Sequence, residues 1–196
     1  MKIELDATEE KLVSATFGII RREGFKGATT KKIASEAGVN EVTVFRKFKN
    51  KKNLIEITKD YYIQKLLEKL EAAFDFTGDE EIVEYLEKNF NALLDLPDEE
   101  FSIIKVAMEE VGEVSEKKHL ISRITDTILD KFEAYFKLQI EKGTIRDVDA
   151  RVLGTLCYSM TFQSIVLLRV YNHVTDIEKE NFGKNYIDIL FNGIKK

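Results

Sequence analysis

Ten Lys and Arg side chains against three acids crowd the stretch from Arg21 to Lys52. The chemistry that a cluster of one sign at that density could do is to bind a polyanion. The remainder of the sequence is the opposite. Residues 1–60 hold 13 basic and 9 acidic side chains, residues 61–196 hold 17 and 26, and the whole chain carries a net charge of −5. On charge alone a solvated lysine-rich face fits as well, so the residue pattern has to decide. Other chemistries find little support. His119 and His173 lack ligand-type partners four residues away, so no metal site is expected. Cys157 is the single cysteine, lies in an apolar run without a neighbouring base, and reads as an inert buried thiol. The acid pairs Glu80-Glu81, Glu99-Glu100 and Glu109-Glu110 read as solvated helix faces, with no ExxH motif for a di-iron site. Gly24 and Gly27 follow a helical pattern, not a strand, so they do not form a phosphate loop. No catalytic residue and no cofactor are expected.

The elements that must position the basic cluster read as helices. One Pro and ten scattered Gly in 196 residues argue against a turn-rich β fold, and 44% hydrophobic residues supply a core. Asp6 and Glu9 have capping-box spacing, with Thr8 as a second candidate cap, before a face of Leu12, Ala15, Thr16 and Ile19 that ends at Gly24. Thr29 or Thr30 caps a short helix over Lys31–Ala37, stopped by Gly38. Asn40 caps Glu41–Lys47, and Asn50 caps a long helix running toward Phe76. Five more helices are predicted at Asp79–Asp95, Asp98–Glu113, Ser115–Lys142, Asp147–Tyr171 and Asp176–Ile194. The first ten residues contain four acids and no apolar run, so no signal peptide is expected. The longest apolar stretch, Ile165–Leu168, stops at Arg169, short of a membrane span. A soluble, cytoplasmic protein is the expectation.

Thr29–Lys51 is the most informative segment. Two short helices meet at Gly38, where a tight turn needs positive φ, and Ala34 is small where the helices cross. Ile33, Val39, Val44 and Phe48 supply the core beneath, which leaves Thr43, Phe45, Arg46 and Lys47 on the other faces of the second helix. A helix roughly 10–12 Å across fits a major groove about 12 Å wide. Its N-terminal residues would meet base edges while flanking Lys and Thr, Thr30 among them, hold phosphates.

The later helices pose a question of packing. Leu153, Cys157, Met160, Ser164, Leu167 and Tyr171 repeat at helical spacing in a segment that is apolar nearly all round, so it must be covered on more than one side. One cover is the chain's own core; the other is a partner or, for a purely internal central helix, more of the same chain. The last helix adds a stripe of Phe182, Tyr186, Ile189, Leu190 and Ile194. The middle helices are rich in aromatic residues, which serve either as plain core or as a cavity lining.

Over residues 8–55 the sequence resembles the TetR family of transcriptional regulators. The likeness rests on Gly24-Phe25, Thr29-Thr30, Ile33-Ala34, Ala37-Gly38-Val39, Thr43-Val44-Phe45, Phe48, and Lys51 followed by Leu54. The resemblance implies an all-α protein with a three-helix helix-turn-helix DNA-binding domain at 1–52 and a helical-bundle ligand-binding and dimerisation domain at 53–196. It implies that Lys31 reaches a base or phosphate and that Glu41, Val42, Thr43, Phe45 and Arg46 form the recognition surface, with Lys47 and Lys51 on phosphates. In that register Thr43 is implied to meet a phosphate or a thymine methyl, and Phe45 stands where the family usually has Tyr, which removes one phosphate hydrogen bond and leaves packing on a sugar or methyl. Glu41 is either a first-turn acid or an acceptor for a cytosine amino group. The resemblance further implies a homodimer on a palindromic duplex operator, built from the last two helices. It also implies a small, mainly apolar effector among Tyr85, Phe90, Phe101, Met108, Phe132, Phe136, Tyr158, Phe162 and Gln163. No membrane partner is implied.

Overall fold

The computed structural model describes residues 3–109, 120–171 and 179–193. Regular structure among them is helical throughout: α1 (Ala7–Gly27), α2 (Thr30–Ala37), α3 (Glu41–Phe48), α4 (Lys51–Ala73), α5 (Ile82–Leu94), α6 (Asp98–Glu109), α7 (Leu120–Glu141), α8 (Ala150–Ile165) and α9 (Lys179–Asn192). α8 continues into a π-helical segment, Val166–Tyr171. The expected break near Gly112, both histidines and Ile194 lie outside the described residues, as do the side chains of Tyr171 and Phe182.

The chain forms two compact units, one of Met1–Leu66 with Ser102–Glu109, the other of Leu67–Phe101 with Glu110–Lys196. In the first, the capping box closes as the spacing predicts: Asp6 accepts from the Thr8 and Glu9 amides at 2.9 and 3.0 Å, and Glu9 accepts from the Asp6 amide at 2.9 Å. Gly24, at φ 73°, interrupts α1 but does not end it, and the chain resumes helical form to Gly27. Leu12, Val13, Ile19, Ile33, Ala34, Val44, Phe48 and Leu54 are shut away from solvent, and Phe17 stacks on Tyr62 with ring centroids 3.9 Å apart. Val39, expected inside, is only half-buried.

The second unit is centred on aromatic rings. Tyr85 stacks on Tyr135 at 3.8 Å, Phe74 meets Phe132 edge-on at 5.4 Å, and the Tyr85 hydroxyl donates to the Phe74 carbonyl at 3.0 Å. α7 packs against α8, and Gly154 makes the approach close, since a Cβ there would sit 3.1 Å from the Phe132 Cβ. α5 starts three residues later than the periodicity suggests. The Glu80 carboxylate turns back onto the Thr77 and Gly78 amides, both at 2.8 Å, and holds those residues in a turn. Arg169 donates to the carbonyls of Leu94 and Leu96 at 3.0 and 2.6 Å and lies 4.0 Å from the Phe101 ring centre, pinning the C-terminal end of α5, where a cation is favoured. Ala150–Val170 is long and apolar enough by composition to cross a membrane, which the short run before Arg169 does not reveal. Nearly half of that window is buried in the fold, as in the central helix of a bundle.

Candidate nucleic-acid interface

Each turn around α3 is built by local chemistry. The Thr29 hydroxyl accepts from the Lys32 amide at 3.3 Å and starts α2. Gly38 ends it at φ 67°, ψ 34°; its amide bonds the Ser35 carbonyl at 3.2 Å and the Val39 amide bonds Ala34 at 2.9 Å, a paired closure that needs the left-handed region. Asn40 accepts from the Val42 amide at 2.9 Å and opens α3. Asn50 accepts from the Asn53 amide at 2.8 Å and opens α4, while Asn53 Nδ2 donates back to the Phe48 carbonyl at 3.0 Å. Both ends of α3 are therefore fixed by side chains, as suits a rod whose direction matters.

Val44 and Phe48, four residues apart, face inward and set the rotation of α3. The opposite side presents Val42, 70% exposed, Phe45, 48% exposed, and an exposed Arg46, with Thr43 half-buried beside them. Lys31, at the start of α2, is exposed as well. The three acids of the basic stretch are each engaged nearby. Glu23 pairs with Lys32 at 2.5 Å and Glu36 with Arg22 at 2.6 Å, while Glu41 accepts from the Thr30 hydroxyl at 2.6 Å. Thr30 and Glu41 thus hold each other. Lys31, Arg46, Lys49 and Lys52 are exposed and make no ion pair among the described residues, so positive charge remains on the outer surface.

Like Thr30, expected on a phosphate and instead donating to Glu41, two lysines expected on phosphates have internal partners. Lys47 pairs with Asp6 and lies 3.6 Å from Glu9, joining the start of α1 to α3. The hydrogen bond from Lys47 holds the Asp6 carboxyl below its ordinary range, and the same bond raises the Lys47 ammonium. Lys51 reaches the Phe25 carbonyl at 3.4 Å. Nothing in the spacing of Asp6 and Lys47 foretells their meeting; only the crossing of α1 and α3 brings them together.

The residues expected to line an effector site do not converge on one described cavity. Tyr85, Phe90, Phe101, Phe132 and Phe136 are buried. Phe132 and Phe136 stack at 5.9 Å, and Phe90 lies 6.2 Å from Tyr186. Tyr158 stacks on Phe162 at 5.5 Å and shares a 2.9 Å hydrogen bond with Thr125. Met108 belongs to the first compact unit and the rest of the set to the second. Gln163 lines an open groove of about 660 Å³ on α8 and α9, with Ser159, Met160, Ser164, Asn185, Tyr186 and Ile189. Four residues expected in a dimer seam, Met160, Ser164, Tyr186 and Ile189, therefore share this groove. The outward face of α8 is nevertheless rotated from the expected stripe. Cys157 is wholly buried within the chain and its carbonyl accepts from the Tyr186 hydroxyl at 3.3 Å, while Leu153 and Leu167 are half-buried. Val152 and Leu156 face solvent instead, beside Met160 of the expected stripe; on α9 Ile189 and Phe191 are exposed and Leu190 is half-buried.

Residues 12–57 match the family described as bacterial regulatory proteins, tetR family. An uncharacterized HTH-type transcriptional regulator of Bacillus subtilis (strain 168), YvkB, is 41% identical over 49 residues, which are 25% of this chain and 26% of that protein. The match thus spans about a quarter of the curated relative's length. Two solved structures share the fold of nearly the whole chain. A putative fatty acid metabolism regulator of Clostridium perfringens is 21% identical with a TM-score of 0.69, covering 95% of this chain and 99% of that one. The regulator FadR of Bacillus subtilis, in complex with stearoyl-CoA, is 19% identical with a TM-score of 0.67, covering 95% and 99%.

Proposed function

From the match of residues 12–57 to bacterial regulatory proteins of the tetR family, we infer a ligand-responsive repressor that binds a palindromic operator as a homodimer. Residues 1–52 do the binding; residues 53–196 take the effector and make the dimer. The observation that carries this reading is α3, with Val42, Phe45 and Arg46 turned to solvent and the neighbouring acids already engaged. One such helix reads only a few base pairs, so a second copy about 34 Å away is needed for specificity. The exposed apolar residues of α8 and α9 support a two-fold seam there.

The effector is mainly apolar and elongated. The stearoyl-CoA bound to FadR of Bacillus subtilis and the fatty acid metabolism that the Clostridium perfringens regulator is named for favour an acyl chain. Such a ligand releases the operator only by binding better to a dimer whose two α3 helices no longer match successive major grooves. The protein works in the cytoplasm, where its operator is.

Gel-shift titration on duplexes selected by the protein tests the first half of this reading. Sequence-selective binding that falls steeply with salt is expected; equal affinity for all duplexes would indicate an architectural protein instead. Thermal shift with acyl-CoA thioesters of increasing chain length tests the second. Long chains should raise the midpoint and release DNA while coenzyme A alone does neither. Stabilisation by small polar metabolites only would defeat it.

A further inference from the structure

Resting on the operator-binding reading, we propose that the half-site is defined chiefly by thymine 5-methyl groups, met by Val42 and Phe45. Among the described residues of the first compact unit these are the large apolar side chains left exposed, at 70% and 48%, whereas its other large aliphatic and aromatic groups are buried or half-buried. They stand three residues apart on α3, on one face. Folding gains little from their exposure, and a pair of large apolar groups side by side on a helix otherwise ringed by cations is a surface suited to an external contact.

The polar groups that could compete for base edges are held back. The Glu41 carboxylate takes the Thr30 hydroxyl and Lys47 is drawn to Asp6 and Glu9, which leaves the exposed Arg46 and the half-buried Thr43 as the polar groups of α3 beside the patch. An apolar side chain pressed on guanine, adenine or cytosine covers an edge of hydrogen-bonding groups without satisfying them. Thymine alone offers a methyl group in the major groove. The exposed Lys31, Lys49 and Lys52 around the patch suit phosphate backbones on either side, which favours duplex DNA over an apolar protein surface as its occupant.

The test uses the full-length protein and duplexes enriched from a random library, then resynthesised with deoxyuridine in place of thymidine. Each contacted methyl removed should weaken binding about 4-fold, the value of one buried methyl-sized group. Uracil outside the half-site should have no effect. Val42→Ala and Phe45→Ala, both at exposed positions, should each lose the thymine-over-uracil preference at one position. Equal binding of thymine and uracil duplexes overturns the inference while leaving operator binding intact, and so does an unchanged preference in both variants. Failure to enrich any duplex removes the operator-binding reading itself and this inference with it.

Discussion

At the scale of single residues, the cations of the basic stretch divide into distinct roles. Arg46 is exposed on α3, so Arg46→Ala should change which bases are preferred, costing about 1–3 kcal/mol at the position it reads. Lys51 lies at the start of α4, so Lys51→Ala should weaken all duplexes alike and lower the salt dependence by about one contact. Comparing binding-site selections and salt titrations of the two variants separates these outcomes. Lys47 behaves differently, because its ammonium is shared with Asp6 and Glu9. Asp6→Asn keeps a side chain able to cap α1 but removes a carboxylate beside α3. Binding should tighten a few-fold at low salt, with a steeper salt slope; unchanged titrations would mean that Lys47 stays clear of phosphate. The outward set on α3 was legible in the sequence because Val44 and Phe48 are apolar at helical spacing. The Asp6–Lys47 pair was not, since 41 residues separate its members.

At the scale of elements, legibility followed the capping residues. Thr29, Asn40 and Asn50 marked helix starts and Gly38 a helix end, because each satisfies backbone groups that a helix leaves unpaired at its ends. Gly38→Ala places a Cβ in the left-handed region and should cost about 1–2 kcal/mol, read by chemical denaturation. Apolar periodicity was less informative, since it says that a face is covered and not what covers it. The repeat through Leu153, Cys157 and Ser164 shows this: Cys157 and Ser164 turned inward, and Val152 and Leu156 outward. The start of α5 was hidden by the Glu80 turn. Hydrogen bonds from backbone amides, the Thr77 amide first, hold the Glu80 carboxyl down to about 2. A carboxyl with a lowered folded-state pKa stabilises the fold fully above its ordinary value near 4.5 and loses that contribution as pH falls toward about 2. Thermal midpoints measured from pH 6 to pH 2.5 should therefore fall less steeply in Glu80→Gln than in the parent.

At the scale of the whole molecule, operator binding and dimerisation are one thermodynamic problem, because a palindrome rewards only a pair of recognition helices held at fixed spacing. In the proposed dimer, the exposed side chains Val152, Leu156 and Met160 on α8 and Ile189 and Phe191 on α9 would supply that pairing, and Met160 and Ile189 also line the groove on the two helices. Met160 is 41% exposed in the single chain, so a carboxylate there can stay hydrated in a free subunit and folding should be preserved. Across a two-fold axis the same substitution appears twice, and two carboxylates buried without cations repel each other as well as losing water. Met160→Glu should therefore raise the dimer dissociation constant by about 100-fold or more while leaving the far-ultraviolet circular dichroism unchanged. Operator affinity should drop with it, while weak non-specific binding, which each subunit manages alone, should survive. Sedimentation velocity across micromolar concentrations, run beside gel shifts, reads both quantities. A Met160→Glu protein that still sediments as a dimer and still binds its palindrome would place the seam elsewhere, and the apolar groove on α8 and α9 would then need another occupant.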